Sequence, residues 1–354
     1  NARHRADHLI EEQHKLNVEG KSISEFDQII QEKGLKCPKC GAESFRDCSQ
    51  FNLMFKTFVG PKESEGGVVY LRGETAQIIF TNFRNVVDTS RVKLPFGIAQ
   101  IGKAFRNEIS PREFLFRVRE FEQMELEFFT HPDKTNECDL IDQYLEVELN
   151  VCSAKDQEAS EGGVGNKKIK VKDLLKFNIN KWQAYWLVRQ YLWFTKELGI
   201  NPENLRVREH LKKELAHYAK GCFDIDYNFP MGWKEIYGNA DRGQFDLTQH
   251  QTHSKKKMDL FDEETKEKIL PAVASEPSQG VGRAFLAIMY DAYCEDKDRG
   301  SVVLKLSSKI APYFCTVFPL VKNKPDLVKK AKEVYRELKS CYSCFYDDAG
   351  SVGR

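Results

Sequence analysis

Charged residues of both signs are concentrated in residues 104–129, a stretch that otherwise has the pattern of two β-strands joined by a turn. Alternate residues of a strand share a face. The more polar face of the second strand would carry Arg117, Arg119, Phe121, Gln123, Glu125 and Glu127. Arg106 and Glu108 share a face on the first strand. The hairpin therefore predicts a sheet with a charged face, which is either a solvated outer surface or a binding site.

A binding site would suit a polyanion at one end of this face and a small cation at the other. Arginine binds phosphate through a planar, bidentate fork of donors, and an aromatic ring beside arginine can stack on a purine. Phe121 and Glu125 are about 13 Å apart at the usual rise of a strand. That span is comparable to a nucleotide base and its first phosphate, so a binding site on this face would suit a nucleotide and a small cation. On the pattern alone, a solvated outer face is the more common explanation of such alternating charge.

The overall charge neither supports nor opposes such a site. The 354 residues carry a net charge of +1 with a pI of about 7.6, so any surface that binds nucleic acid must be a local patch. The sequence has no apolar run near the ~20 residues that a membrane helix needs, and its first residues have no apolar signal core. Ten scattered cysteines suggest a reducing compartment. We expect a cytoplasmic protein without membrane contact.

Periodicity predicts mixed secondary structure along the chain. We expect helices in 1–36 around a loop near Gly20, and in 74–90, 134–150, 179–200, 281–293 and 325–340. We expect strands in 51–60, 66–76, 94–109, 115–129, 223–229, 232–241, 244–250, 270–279, 311–321 and 341–348. Residues 153–172 are polar and contain glycines, which predicts a loop. The aromatic residues Trp182, Tyr185, Trp186 and Trp193 recur at helical spacing and predict a core face.

The hairpin resembles motif 2 of a class II aminoacyl-tRNA synthetase, in the form typical of glycyl-tRNA synthetases. Four further segments agree with that family in order: FNLMFKTFVG, YLRGETAQ, GWKEIYGNADRGQFDLTQH, and SEPSQGVGRAFLAIMYDAY, which resembles motif 3. The tail LKLSSKIAPYFCTVFPL resembles the opening of the family's anticodon-binding domain. The resemblance covers nearly the whole chain.

The resemblance implies an α+β fold whose core is an antiparallel sheet flanked by helices. It places a catalytic domain at 1–304, with a cysteine-bearing insertion around 34–50 and a helical, polar insertion around 150–220. Residues 305–354 would begin an α/β anticodon-binding domain. Motif 1, which builds the family's homodimer interface, would precede residue 1. We therefore expect a homodimer that acts on tRNA(Gly), glycine and ATP.

The resemblance also assigns the residues that bind ATP. Arg106 would hold the α-phosphate, Glu108 would contact the adenine amino group, and Phe121 would stack on the adenine. Arg117 would reach the γ-phosphate, and Arg283 would lie against the other side of the adenine. Arg106 and Arg283 are the predicted catalytic residues, and Mg²⁺ should bridge the phosphates.

Glycine has no side chain, so a site for it must bind the ammonium group and exclude larger residues. By resemblance, the ammonium group would be surrounded by Glu74, Glu125, Glu276 and Ser278. Arg242 would face the carboxylate, and Glu276 would also contribute to the ATP site. Glu276 and Ser278 are two residues apart and share a strand face, and the turn after them would place Arg283 at a helix N-terminus, where anions bind readily.

Metal binding is left open by the cysteine pattern. Cys37 and Cys40 form half of a zinc ribbon and Cys48 could be a third ligand, whereas a plain turn with free thiols explains the same residues. Cys341 and Cys344 have the same spacing but more readily fit strand packing.

Three interpretations of function remain. The first is ATP-dependent activation of glycine and its transfer to the 3′ end of tRNA(Gly). The second is an inactive, synthetase-like module that binds nucleic acid or a partner, although such modules typically lose the motif arginines that this chain keeps. The third is a ligase for another small amino acid such as alanine or serine, which the predicted ring of carboxylates disfavours.

Overall fold

A computed structural model describes residues 6–14, 22–49, 51–109, 111, 113–159, 165–216, 218–298 and 300–349. The chain divides into two compact units. The first unit comprises residues 1–77 and 102–122, and the second comprises residues 78–101 and 123–354. The loop predicted near Gly20 lies outside the described residues.

The helices are α1 Ala6–His14, α2 Ile23–Glu32, α3 Ala76–Ser90, α4 Ala154–Ala159, α5 Val171–Leu174, α6 Lys181–Leu192, α7 Phe245–Ser254, α8 Val281–Ala292 and α9 Pro325–Lys339. The strands are β1 Lys56–Phe58, β2 Val68–Tyr70, β3 Phe96–Phe105, β4 Glu120–Thr130, β5 Glu148–Cys152, β6 Lys167–Lys170, β7 Leu205–Glu209, β8 Gly221–Phe229, β9 Gly232–Asp241, β10 Leu260–Phe261, β11 Lys268–Ile269, β12 Ala272–Gly280, β13 Tyr293–Asp296, β14 Ser301–Leu304, β15 Cys315–Val317 and β16 Cys344–Tyr346.

The first unit contains a helical pair and a short hairpin. The Ser22 hydroxyl caps α2 in a capping box, in which Glu25 bonds back to the Ser22 amide. A small apolar core joins the two helices to the segment that follows; it consists of Leu9, Ile10, Ile30 and Leu35, with Phe45 and Cys48 packed against it. Strands β1 and β2 pair antiparallel. The predicted helices and strands of this unit are thus confirmed within the described residues.

The second unit is built on a sheet of eight strands in the order β3-β4-β12-β9-β8-β7-β5-β6. The pairs β4–β12, β12–β9, β9–β8, β8–β7 and β5–β6 are antiparallel, and β5–β7 is parallel. Two adjacent residues of β4 show that helices cover both faces. Phe129 packs on Phe83 of α3 with ring centroids 4.8 Å apart, and Phe128 packs on Trp182 of α6 at 4.6 Å. The predicted fold class is confirmed, with one parallel pairing.

Three expectations about local structure are wrong. Residues 134–150 form short turns and then β5 instead of a helix, because β5 pairs with β6 on one side and with β7 on the other. The predicted strand at 244–250 is helix α7. The predicted loop at 153–172 contains α4 and β6, although its residues 160–164 lie outside the described part.

The aromatic stripe of α6 is buried over most of its length. Trp182 is buried, and Tyr185 and Trp186 are half-buried. Trp193 is more exposed than predicted, since it begins a π-helical turn, Trp193–Glu197, in which the helix widens.

The last described residues form the strand–helix–strand unit that the sequence predicts. Strands β15 and β16 are parallel and are connected by α9. Their register places Cys315 opposite Cys344, with the two Sγ atoms 2.9 Å apart. Cys344 therefore meets Cys315, as the strand-packing alternative expects. Among the described residues, no helix has the length and apolar character that crossing a membrane requires.

Candidate functional site

In the first unit, the motif 2 arginine lies against an aromatic ring. The Arg106 guanidinium is centred 5.2 Å from the Phe121 ring. Its Nε donates to the Gly73 carbonyl at 3.3 Å, and Nη2 contacts Glu74 Oε1 at 3.4 Å. About two fifths of the Arg106 side chain remains exposed. The ring and the guanidinium together offer a stacking surface next to a fixed positive charge.

Glu108 and Arg117, for which the sequence predicts contacts with ATP, form an ion pair with each other. Arg117 Nε donates to Glu108 Oε2 at 3.0 Å, and Arg119 Nε donates to the Glu108 carbonyl at 3.2 Å. Arg117 lies before β4, which begins at Glu120. This pair orients both side chains, and its exposed arginine can exchange a carboxylate for a phosphate.

In the second unit, Glu125 and Ser278 meet across neighbouring strands. The register pairs Ser278 of β12 with Glu125 of β4, and the Ser278 hydroxyl donates to Glu125 Oε1 at 2.9 Å. Gln123 completes a triangle, because its Nε2 lies 2.6 Å from Glu125 Oε1 and 3.0 Å from Ser278 Oγ. Glu125 and Gln123 are buried. The interpretation of this part of the hairpin as a solvated face is therefore wrong.

Arg242 joins two buried carboxylates to its guanidinium. Its Nε and Nη2 each donate to Asp246 at 2.7 Å, and Nη1 donates to Glu276 Oε1 at 2.6 Å. The guanidinium lies 3.9 Å from the centre of the Tyr218 ring. Burial disfavours the charge, but Asp246 and Glu276 outweigh it and raise the pKa of Arg242. Arg242 thus fixes the orientation of Glu276. These three hydrogen bonds use three of the five N–H donors of the Arg242 guanidinium, and the other two take no part in them.

Asp246 was not predicted as a site residue. Arg242 precedes α7, which begins at Phe245, so the contact depends on the turn between the two residues and the linear sequence contained no clear signal for it.

Arg283 is the third residue of α8, as expected for a group at a helix N-terminus. Its Nη1 donates to the Glu235 carbonyl at 3.0 Å and lies 3.3 Å from the Glu235 carboxylate. Glu235 of β9 was also missed by the sequence prediction. The contact anchors Arg283 to the sheet and leaves more than a quarter of its side chain exposed.

Glu127 continues the face that carries Gln123 and Glu125, and it is completely buried. Neither of its carboxylate oxygens has a hydrogen-bond partner within the described parts of the chain. Burial, which is the largest cause, and the nearby Glu276 raise the pKa of Glu127 well above 4.5. The positive charge of Arg242 acts in the opposite direction but is the smaller effect. The surroundings of this carboxyl group therefore favour its protonated form.

Replacing Glu127 by glutamine is expected to raise the free energy of unfolding by an amount that grows with pH. Above pH 4.5 the Glu127 carboxyl of the unfolded chain releases its proton, whereas that of the folded chain keeps it. The free energy of unfolding of the wild-type protein therefore falls by up to about 1.4 kcal/mol per pH unit relative to that of the variant, until the pH reaches the pKa of the folded state. Thermal unfolding between about pH 5 and pH 8 measures this difference. Glu122→Gln, at an exposed position of β4, is the control and should show little trend. A gain from Glu127→Gln that does not change with pH would contradict the expectation.

The three cysteines of the possible zinc site do not fit a common ion. Within the described part of the chain, a different group of residues has the spacing of metal ligands. It consists of His210, Cys222 and Asp224, whose ligand atoms all lie within 4.8 Å of one another. Burial and Asp27 raise the pKa of Cys48 to about 11, so this side chain is a neutral thiol when no metal is bound. We derive no function from zinc at Cys37, Cys40 and Cys48.

The cluster at His210 is also a poor cation site. Arg208 donates to the same Asp224 oxygen that contacts His210 Nε2, at 2.5 Å and 2.7 Å respectively. Burial raises the pKa of the Cys222 thiol and keeps it protonated. The guanidinium already compensates the carboxylate, so the cluster is an ion-pair network between β7 and β8.

Comparisons with known proteins give these residues a family. Residues 58–149 match the model of the tRNA synthetase class II core domain (G, H, P, S and T). A glycine–tRNA ligase of Caldanaerobacter subterraneus subsp. tengcongensis is 43% identical over 362 residues, which cover 100% of this chain and 68% of that protein. The chain belongs to the glycine–tRNA ligase family. Within the family, enzymes of the same name from Ruminiclostridium cellulolyticum and Geobacillus thermodenitrificans are 42% and 41% identical, with 67% of each covered.

Proposed function

We propose that this chain activates glycine with ATP to form glycyl-adenylate and then transfers the glycyl group to the 3′ end of tRNA(Gly). The observation that carries the proposal is the meeting of Glu125 and Ser278 across β4 and β12, in a chain 43% identical to a glycine–tRNA ligase. Buried carboxylates beside a hydroxyl suit a small ammonium group. The inactive-module alternative has no observation in its favour, since Arg106, Arg117 and Arg283 are all present.

In this proposal, Glu125, Glu276 and Ser278 bind the glycine ammonium group, and Glu74 also contributes. Glu276 is fixed by Arg242, and Ser278 is fixed by Glu125 and Gln123. Arg242 acts first by orienting Glu276, and its two remaining donors are available to the glycine carboxylate. Because Glu125 and Glu276 are buried and are hydrogen-bonded to Ser278 and Arg242, a larger amino acid could enter only by displacing them.

ATP would bind through the arginines, with the adenine stacked on Phe121 and its amino group near Glu108. Arg106 would hold the α-phosphate, and Arg117 and Arg283 would hold the γ-phosphate. Glu276 would contribute to the binding of both substrates. Mg²⁺ would enter as part of the MgATP substrate and bridge its phosphates.

The reaction needs no nucleophile from the protein. A glycine carboxylate oxygen attacks the α-phosphorus, the bond from that phosphorus to the bridging oxygen breaks, and pyrophosphate leaves. The protein contributes position and charge. Arg106 is placed by Gly73 and Glu74, and Arg283 is placed by Glu235, so both guanidiniums are oriented before the substrates arrive.

The remaining assignments concern the whole protein. We infer that residues 1–304 form the catalytic domain and that β15, α9 and β16 belong to an anticodon-binding domain that starts near residue 305. A homodimer in the cytoplasm is the expected state.

Exchange of pyrophosphate into ATP tests the proposal when it is measured with a panel of amino acids. We expect exchange with glycine, and at least about 100-fold less with alanine or serine, because a β-carbon would have to displace buried groups. Charging of tRNA(Gly) tests the transfer step. Calorimetry with MgATP separates the alternatives: nucleotide binding without exchange for any amino acid would favour an inactive module, and preferential exchange with alanine or serine would favour the third interpretation.

A further inference from the structure

Glu127 has no part in the proposed function, but it lies beside the residues that carry it. The register of β4 and β12 pairs Phe128 with Ser275 and Glu125 with Ser278, so Glu276 falls opposite Glu127 between them. Glu127 is fully buried, and both of its carboxylate oxygens are unpartnered within the described residues. Other buried carboxylates of the unit, such as Glu125 and Glu276, do have partners.

The groups around Glu127 are mostly acidic. Glu125 lies on its own strand, Glu276 on β12 and Asp246 on α7, and Arg242 at the end of β9 supplies the positive charge. Helix α3 presents the uncharged ring of Phe80 to Arg242. Arg242 is already bonded to Glu276 and Asp246. A negative charge on Glu127 would therefore add to an excess of negative charge while no ligand is bound.

A buried carboxyl without a partner destabilises a fold, and glutamine of nearly the same shape would avoid the ionisation penalty. A destabilising ionisable group beside the proposed glycine site is a candidate for a functional role. What would compensate Glu127 is a second positive charge, and the substrate's ammonium group is such a charge.

We propose that Glu127 couples amino-acid binding to proton release, being neutral while the pocket is empty and ionised when an ammonium group lies beside Glu125 and Glu276. This inference rests on the proposed glycine site. The O–H bond of the Glu127 carboxyl breaks, its proton passes to the buffer, and the ammonium group keeps all of its protons. Glu127 is thus a positioning residue that becomes negatively charged only when the positively charged ammonium group is bound.

A positive charge bound nearby would lower the pKa of Glu127. A unit charge about 6 Å away shifts a pKa by about two units at an effective dielectric constant of about 20. The coupling is reciprocal, so ligand binding should strengthen as the pH rises toward the range where Glu127 ionises.

Calorimetry with two matched ligands tests the proposal on the whole chain. Glycyl-sulfamoyl-adenosine carries the ammonium group, and glycolyl-sulfamoyl-adenosine has a hydroxyl in its place. Each is titrated between about pH 7 and pH 9 in buffers of different ionisation enthalpy, which gives the number of protons exchanged. Glu127→Gln is titrated in parallel. Both proteins bind the same form of the ligand. Subtracting the number of protons exchanged by the variant from the number exchanged by the wild-type protein therefore cancels the contribution of the ligand's own amino group.

The wild-type protein is expected to release up to about one proton per site more than Glu127→Gln with the glycyl ligand, and no more than the variant with the glycolyl ligand. Equal proton counts in the two proteins would overturn the inference while leaving the glycine site intact. Failure of both ligands to bind the wild-type protein would overturn the proposed function, and this inference with it.

Infrared difference spectra of the wild-type protein provide a second measurement that does not depend on the folding of the variant. The carbonyl band of a protonated, buried carboxyl should disappear when the glycyl ligand binds and persist with the glycolyl ligand. If binding of the glycyl ligand causes no loss of intensity in this band, Glu127 stays neutral and the proposal is overturned.

Discussion

Replacing Arg106 by alanine is expected to lower glycine-dependent exchange of pyrophosphate into ATP by about a thousandfold, the upper range for removal of one preorganised donor at a transition state. The guanidinium is held by the Gly73 carbonyl and Glu74 and lies over the Phe121 ring. Those contacts use part of its donor set and leave the side chain about 41% exposed. Charge that develops on the α-phosphate would meet donors that need no reorientation, and alanine provides none.

The loss should appear in kcat with only a small change in folding stability, because Arg106 is half exposed and its ion pair with Glu74 is long. Arg46→Ala, at an exposed position of the same unit, is the matched control and should leave exchange unchanged. Arg106→Lys keeps the charge but loses the planar fork, so it should recover only part of the rate. Exchange at the wild-type rate in Arg106→Ala would contradict the assigned role.

Much of the fold could be predicted from the sequence because its local signals agree with its tertiary structure. The apolar spacing of Ile79, Phe83 and Val87 predicts α3, and those residues are buried. The alternation after Glu120 predicts β4 and its two faces. The turn after Gln279 was expected to lead into a helix, and α8 begins at Val281. These are long periodic segments, in which local preference and burial point the same way.

The failures occur where long-range contacts decide the structure. Residues 148–152 become a strand because β6 and β7 are available on either side of them, and nothing near them in sequence shows this. Residues 244–250 contain too few apolar residues for a clear period, and their helix is held by Leu247 in the core and by the pair of Asp246 with Arg242. Such tertiary effects override weak local propensity.

The resemblance to the family assigns the residues of the candidate site one by one, but it contains no information about the bonds between them. It proposes Glu125, Glu276 and Ser278 as site residues, and it proposes no role for Gln123, Asp246 or Glu235. Their roles depend on which atoms face each other across β4, β12 and α7. Register and side-chain orientation in a sheet follow from the whole packing arrangement, so a linear sequence contains them only indirectly.

Arg242→Met is expected to be the most destabilising single substitution considered for this protein, at about 3–5 kcal/mol, because it leaves the carboxylates of Glu276 and Asp246 buried without their counter-charge. The chain contains its own control. Arg84 and Asp88 form another arginine–aspartate pair at i,i+4, with the two bonds of 3.0 Å and 2.6 Å at the surface of α3.

The two pairs differ in burial. The side chains of Arg242 and Asp246 are 6% and 13% exposed, whereas those of Arg84 and Asp88 are 41% and 53% exposed. Water compensates the exposed carboxylate once its arginine is gone, so Arg84→Met should cost about 1 kcal/mol or less, even with the loss of its bond to the Asp259 carbonyl. Urea unfolding of the two variants, analysed at equal m-values, measures the difference.

Arg242→Lys distinguishes the charge from the geometry. Lysine restores a positive charge but cannot reach Asp246 through two nitrogens and Glu276 through a third, so we expect it to recover less than half of the lost stability. Because Glu276 would lose its fixed orientation in both variants, glycine-dependent exchange should fall in the lysine variant even where that protein is folded. Equal costs for Arg242→Met and Arg84→Met would show that burial does not decide the energy of this pair, and would remove the basis for treating Arg242 as the residue that positions Glu276.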